Sequence, residues 1–443
     1  MILPLLALGF GCSAAKDASE PGNPGGAAST GIGFGGTTNA TQNPNSGATN
    51  NSGGAAAVAT TYQGGPGPGG DSESEKLLRM AVRFYGAQRS GDNGNWLIAK
   101  HPRGGKCFGN DGATEGLDLA GGWHDAGDHI KFTLTIAYAA YALLKAYDAF
   151  PSAFGDRYDG RYGAANGLPD VLDEVRIATD YLLKVRTTKG IVSRVGQDED
   201  HKRFVTCPTQ QTLGAELGGD PRTVYFGDNP DLSALSAAAL AAAARAYRQY
   251  DVVLADKYLT EATALFEHAR DHEELGPSNV SFYNNGSKYD DLLCGAAELW
   301  AETKDDSYLA DVKRYADQAL GRFDLSWDHT ENLGHHTLAK RGQTLDIWGS
   351  NGQGPTLQVV CDDYLTKAKG DSGVADFGQS WGVLRFTMGG AFAVALCADA
   401  LGGDKYKKFV LDQLAYATGA KTGASFVVGY GTKYPKHPHH RNA

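Results

Sequence analysis

Residues 121–132 read GGWHDAGDHIKF and set two carboxylates, Asp125 and Asp128, three positions apart among glycines, with Trp123, His124 and His129 beside them. Asp and Gly favour turns over helix, so the stretch reads as a tight loop that can aim both carboxylates into one space. Carboxylates that share a site acquire different pKa values, which suits one to hold a proton or a water while the other stays charged. The residue types alone fit a solvated acidic turn or an oxygen-ligand metal site as well. A second dense stretch, SFVVGYGTKYPKHPHHRNA at 425–443, carries His437, His439, His440 and Arg441 behind Pro435 and Pro438. The prolines stiffen an extended segment. Ring donors and a guanidinium placed there can hold sugar hydroxyls or tune a nearby carboxylate. A His-rich metal tract or an unstructured end has the same composition.

Residues so far apart need a frame, and the frame reads as helix after helix. Starts are expected near 74, 133, 170, 232, 255, 289, 306, 331, 381 and 403. DLSALSAAALAAAARAYRQY is Ala-rich, with Asp231 or Ser233 available as its N-cap. NGLPDVLDEVRIATDYLLKV carries Pro169 near its first turn and an apolar stripe through Leu172, Val175 and Leu182. Ser72 or Ser74 can cap the first helix. Gly- and Asp-rich loops at 91–131, 187–231 and 342–380 are long enough to carry function. No βα alternation appears, so the fold class is all-α with a few short strands in the loops, its helix pairs closing into a ring. A net charge of −10 argues against a nucleic-acid partner. The supply of Trp, including Trp327, suits sugar stacking and core packing alike.

Residues 1–11, MILPLLALGFG, are apolar but too short to span a membrane, and they resemble the apolar part of a secretory signal. Cys12 follows, so export is expected, to the outside of the cell or to its surface, with a lipid anchor at Cys12. Residues 13–71 are Gly, Ala, Ser, Asn, Thr and Pro with almost no large apolar side chain, which makes them a flexible tether. The folded domain is expected at 72–443, as a monomer. Cys107, Cys207, Cys294, Cys361 and Cys397 form no CxxC pair, which argues against a zinc ribbon, and buried free thiols are expected among them.

Whole strings say more than residue types. FYGAQRSG (84–91), LAGGWHDAGDHIKF (119–132), NGLPDVLDEVRIATDYLLK (166–184) and the segment from Ser425 to Arg441 occur in that order. Together they resemble glycoside hydrolase family 9, mostly cellulases on an (α/α)6 barrel. SWDHTENLGHHTLAK (326–340) and SWGVLRFTMGGAFAVAL (380–396) match more loosely, and the resemblance covers about residues 72–443. It implies hydrolysis of β-1,4-glucosidic bonds in cellulose or related β-glucans, with inversion. Asp128 would be the general base and Asp125 would hold the same water. His439 and Arg441 would bind the sugar and shape the charge at the cleavage point. Trp327 would stack on a glucose ring and His201 would lie near the cleft. Trp327 equally fits a core aromatic, and His201 a loop surface. After His201 the family continues with Trp and an Arg-Pro-Glu run, where this chain has Phe204 and CPTQQ. No cofactor is implied. A structural calcium is open at Asp198, Glu199 and Asp200, although adjacent acids also fit a solvated loop.

Inverting hydrolysis needs a base and an acid about 6.5–9.5 Å apart, on opposite faces of the sugar. In the family the acid is a Glu some tens of residues beyond the His segment, next to an Asn and opening the last barrel helix. No Glu follows Glu331 here. The resemblance therefore implies a chain without its acid and last helix: a fragment of a longer enzyme, or a protein that binds glucan and cuts it weakly or not at all. An exo-acting β-glucosaminidase of the same fold is a further reading.

Overall fold

Helices that are apolar on nearly every face alternate along the chain with amphipathic ones, and that alternation builds two layers. The computed structural model describes residues 72–92, 106–156, 165–202, 204–217, 219–319, 324–343, 357–370, 372–380 and 382–441. Cys12 and the 13–71 segment lie outside them. In chain order the helices are α1 (Glu73–Ala87), α2 (Thr133–Ala149), α3 (Asp170–Leu182), α4 (Pro230–Tyr247), α5 (Val252–Asp271), α6 (Tyr289–Thr303), α7 (Asp306–Ala316), α8 (Glu331–Lys340), α9 (Leu357–Thr366), α10 (Val383–Leu401) and α11 (Asp404–Ala417). Helix α2 is buried at every position but Asp148, and α4 at all but Arg245 and Ala246. The even-numbered helices α2, α4, α6, α8 and α10 pack each on the next, and α10 meets α2, so they form an inner ring. Of the odd-numbered helices, α3, α5, α7, α9 and α11 bury one stripe each against it, and α1 packs on α3. Glycine permits one of the closest inner approaches: a Cβ on Gly295 of α6 would lie 3.0 Å from the Ala234 carbonyl of α4.

The ten expected helix starts each coincide with a helix. Ser72 caps α1 in a reciprocal box with Glu75. At α4 the expectation needs correction. Asn229 occupies the cap with Pro230 behind it, and the buried Asp231 carboxylate accepts the Ser278 N–H and hydroxyl instead. Helix α9 and the single turn Cys207–Gln210 were expected as loop. Both are short, and both are held by disulfides that local pattern does not report: Cys361–Cys397 ties α9 to α10, and Cys107–Cys207 ties the turn to the 106–131 loop. The expectation of several buried free thiols holds for Cys294 alone among the described residues.

The one four-stranded sheet among the described residues runs between the helices: β1 (Lys131–Phe132), β2 (Arg186–Thr187), β3 (Gly190–Val195) and β4 (Val224–Gly227). β3 lies between the others, pairing antiparallel with each, with Lys131 opposite Val195 and Gly227 opposite Ile191. This ribbon brings the 187–231 loop alongside the start of α2. A small hairpin of β5 (Asn279–Val280) and β6 (Tyr283–Asn284) reaches the same end of the ring.

Candidate active site

The Asp125–Asp128 loop sits on the N-terminal end of α2, and its own backbone closes it. The Asp125 N–H donates to the Ile130 carbonyl at 2.9 Å, and the Ile130 N–H donates to Asp128 Oδ1 at 2.9 Å. The His124 N–H donates to the Gln88 carbonyl after α1, and the Gly122 N–H to the Ile177 carbonyl of α3. Beneath the loop lies a buried ionic triad. Lys131 pairs with Asp111 at 2.7 Å, and Arg222 grips Asp111 through two bonds while donating to the His129 carbonyl at 2.7 Å. Burial pushes the Asp111 carboxyl up, but Arg222 and Lys131 outweigh it and hold its pKa at about 2. The triad is thus a fixed charged base for the loop.

The two loop carboxylates meet unlike surroundings. Asp125 accepts hydrogen bonds on both oxygens, from the Thr135 hydroxyl of α2 at 2.8 Å and from the Tyr283 hydroxyl. Burial and the neighbouring charge of Asp128 push its pKa up to about 8, against the pull of those two hydroxyls. Asp128 gives Oδ1 to the loop backbone and turns Oδ2 toward His201 Nε2 at 3.4 Å. The bond to Asp128 raises the pKa of His201. His201 is exposed, and its ring packs 4.9 Å from that of Phe282.

The C-terminal segment closes on the same loop. The His439 ring rests on Gly127, between the two carboxylates, where a Cβ would lie 2.6 Å from its Cε1. Any side chain at 127 would displace that ring. His440 is turned inward against Phe84 at 4.8 Å, and burial, then His439, lowers its pKa to about 4. Arg441 does not face the opening. Its side chain is 2% exposed, donating to Asp200 Oδ1 at 2.7 Å and to the Asp200 carbonyl at 2.9 Å. The other Asp200 oxygen accepts the His129 N–H at 3.1 Å, so Asp200 joins the segment to the aspartate loop.

The structure thus brings Asp125, Asp128, His201 and His439 together at one end of the ring. Trp327 is 5% exposed and meets the edge of Tyr283 at 4.9 Å, so it reaches Asp125 through Tyr283. The acids considered for calcium turn to different partners. Asp198 pairs with Arg194 and accepts from Ser281, Glu199 faces Lys202, and Asp200 holds Arg441. Four residues of the site carried no sequence signal of their own. Tyr283 and Thr135 hold Asp125, and Gln210 accepts from His129 Nδ1. Phe282 lies beside His201. Phe204 was visible only as a departure from a pattern. It is 59% exposed, with its ring 6.0 Å from that of His439 and 5.0 Å from the Arg441 guanidinium.

The family model for glycosyl hydrolase family 9 matches residues 75–443. Endoglucanase 4 of Bacillus sp. (strain KSM-522) is 32% identical over 403 residues, covering 83% of this chain and 59% of that protein. The chain spans about three-fifths of the length of such curated relatives. Among solved structures, the endoglucanase of the termite Nasutitermes takasagoensis is similar with a TM-score of 0.68 at 29% identity, covering 84% of this chain and 83% of that one. The cellulase Cel9M of C. cellulolyticum in complex with cellobiose has a TM-score of 0.69 at 23% identity, covering 85% of each chain, and shares the fold.

Proposed function

The chain belongs to glycosyl hydrolase family 9, and on that premise we propose that it hydrolyses β-1,4-glucosidic bonds of β-glucans with inversion, Asp128 acting as general base. The observation that carries this reading is the unlike setting of two adjacent carboxylates. Asp125 has both oxygens engaged and its pKa raised to about 8, whereas Asp128 keeps Oδ2 turned to the exposed His201. At neutral pH Asp125 retains its proton, and through it donates a hydrogen bond that holds the oxygen of a water in place. Asp128 takes a proton from that water as it attacks the anomeric carbon. This division of one acid and one base follows from giving two neighbouring carboxyls unlike environments. His439, seated on Gly127, and the exposed rings of Phe204 and Phe282 supply a sugar-facing surface. Arg441 acts by holding Asp200 and the segment in place. Both aspartates serve the water side of the bond, so the proton for the leaving group comes from elsewhere.

The test is reducing-end release from carboxymethylcellulose, with the product anomer followed by NMR. Release of sugar ends that appear first as the α-anomer is expected. Binding of cello-oligosaccharides without any release would replace hydrolysis by capture. Cleavage of chitosan oligomers without cleavage of glucans would move the substrate to amino sugars.

A further inference from the structure

At the other end of the β3–β4 ribbon, three side chains converge that the aspartate site does not use. β3 meets β1 and the aspartate loop at Val195, and its Gly190 end lies about 17 Å further along the strand. There β4 ends at Gly227 and the chain turns through Asp228. Gly190 leaves room for that side chain, since a Cβ on it would lie 2.9 Å from Asp228 Oδ1. Across from it, α5 presents His268 and, at its C-terminal cap, His272. The two are four residues apart on one helical face, with rings stacked at 4.1 Å. One donor atom from each of Asp228, His268 and His272 lies within 4.8 Å of the others.

Two further features belong to a ligand set rather than to an ordinary polar cluster. Asp228 Oδ1 and His268 Nε2 are buried and face each other at 3.3 Å, with no other hydrogen-bond partner among the described residues. In a tetrahedron with metal–ligand bonds of about 2.0–2.1 Å, neighbouring ligand atoms are about 3.3 Å apart. That pair already stands at the edge length of a zinc site. The His272 Nδ1 lies 2.9 Å from the His268 carbonyl, which can only accept. Nδ1 therefore carries the hydrogen, and Nε2 keeps its lone pair, the tautomer a metal ligand requires. The carbonyl end of α5 favours a cation. Arg186, whose charge reaches His268, is itself held by two bonds to Glu261.

We propose that Asp228, His268 and His272 form a binding site for a divalent first-row transition-metal ion, zinc being the reference ion. The site would tie the C-terminal end of α5 to the turn that opens α4. Two imidazoles and one carboxylate suit zinc, copper(II) or nickel(II) better than calcium or magnesium.

The experiment is zinc titration of the metal-stripped 443-residue chain by calorimetry, with thermal unfolding in EDTA and in zinc. The wild type, His268→Gln and His272→Ala are compared, which separates this site from the C-terminal histidines. The wild type should bind one zinc more per chain than either variant. Zinc at a hundred-fold excess over its dissociation constant should raise the wild-type midpoint by about 3–5 °C. That rise should vanish in both variants, while their midpoints in EDTA stay near that of the wild type. Equal zinc stoichiometry in all three proteins, or a wild-type midpoint that zinc does not move, would overturn the proposal. If either histidine variant fails to fold, Asp228→Asn, altered in the turn after β4, gives the same comparison.

Discussion

The two ends of α2 carry buried carboxylates in opposite circumstances. At its C-terminal end, Glu298 and Asp148 meet Lys145, Arg245 and Arg341. Lys145 lies 3.5 Å from Glu298, Arg245 donates to the same carboxylate, and Arg341 reaches Asp148 at 2.9 Å. The Tyr141 and Thr337 hydroxyls complete the shell of Glu298. Burial alone would push Glu298 up, but Arg245 and Lys145 outweigh it and bring its pKa to about 2. At the N-terminal end, Asp125 faces a second carboxylate and two neutral hydroxyls, and its pKa stands at about 8. One end uses buried charge to lock inner helices together. The other gives Asp125 no cationic partner, so that carboxyl keeps its proton, which costs stability as pH rises and makes it available for proton transfer.

The contrast predicts most at Asp128. Asp128→Asn should lower glucan hydrolysis about 100- to 10,000-fold. The fold should survive, because the substitution also removes the like charge beside Asp125. Full reducing-sugar release from the variant would remove Asp128 from the mechanism.

At the opposite end the effect should fall on stability instead. Glu298→Ala leaves Lys145 and Arg245 buried without their shared partner, a loss of about 3–5 kcal/mol in urea denaturation. Turnover per folded molecule should hold. A variant as stable as the wild type would show that the girdle is not what ties these helices.

The pH dependence of stability should differ in sign between the ends. Asp125 has an ordinary pKa of 3.8 and a folded one of about 8, so the folded chain keeps a proton that the unfolded chain releases. Its contribution is complete below pH 3.8 and is lost as pH rises toward 8. Glu298 runs from 4.5 down to about 2, so its contribution is present above pH 4.5 and lost as pH falls through 2. Relative to the wild type, Asp125→Asn should therefore gain about 3–4 kcal/mol between pH 5 and pH 8. Parallel stability curves for the two proteins would sink this account of Asp125.

The smallest effect is expected at Tyr283→Phe. Its hydroxyl holds the Asp125 pKa down, so removing it should move the basic limb of the pH–rate profile upward. The cost in kcat should be about five-fold, the scale of one neutral hydrogen bond. A change in KM alone would make Tyr283 a binding residue.

Much of this was legible before any coordinates. The apolar composition of α2 and α4 located them directly, because a helix buried on nearly all sides needs few polar positions. GGWHDAGDHIKF announced its two aspartates, and the C-terminal histidines their segment. Helix α9 and the Cys207–Gln210 turn were not legible, since each depends on a disulfide partner remote in sequence. The partners of Asp125 were hidden for the same reason: Tyr283 lies 158 residues away in a two-strand hairpin with no motif of its own.

The sequence by itself determined the all-α class, the order of the helices, and which two carboxylates share a loop, because periodicity and short-range spacing are local properties. Only the tertiary structure decided that Asp125 holds its proton, that Arg441 turns inward to Asp200, and that Asp228 meets two histidines of α5. Each depends on burial and on charges brought close from distant parts of the chain, and a pKa or a ligand set exists only once those distances do.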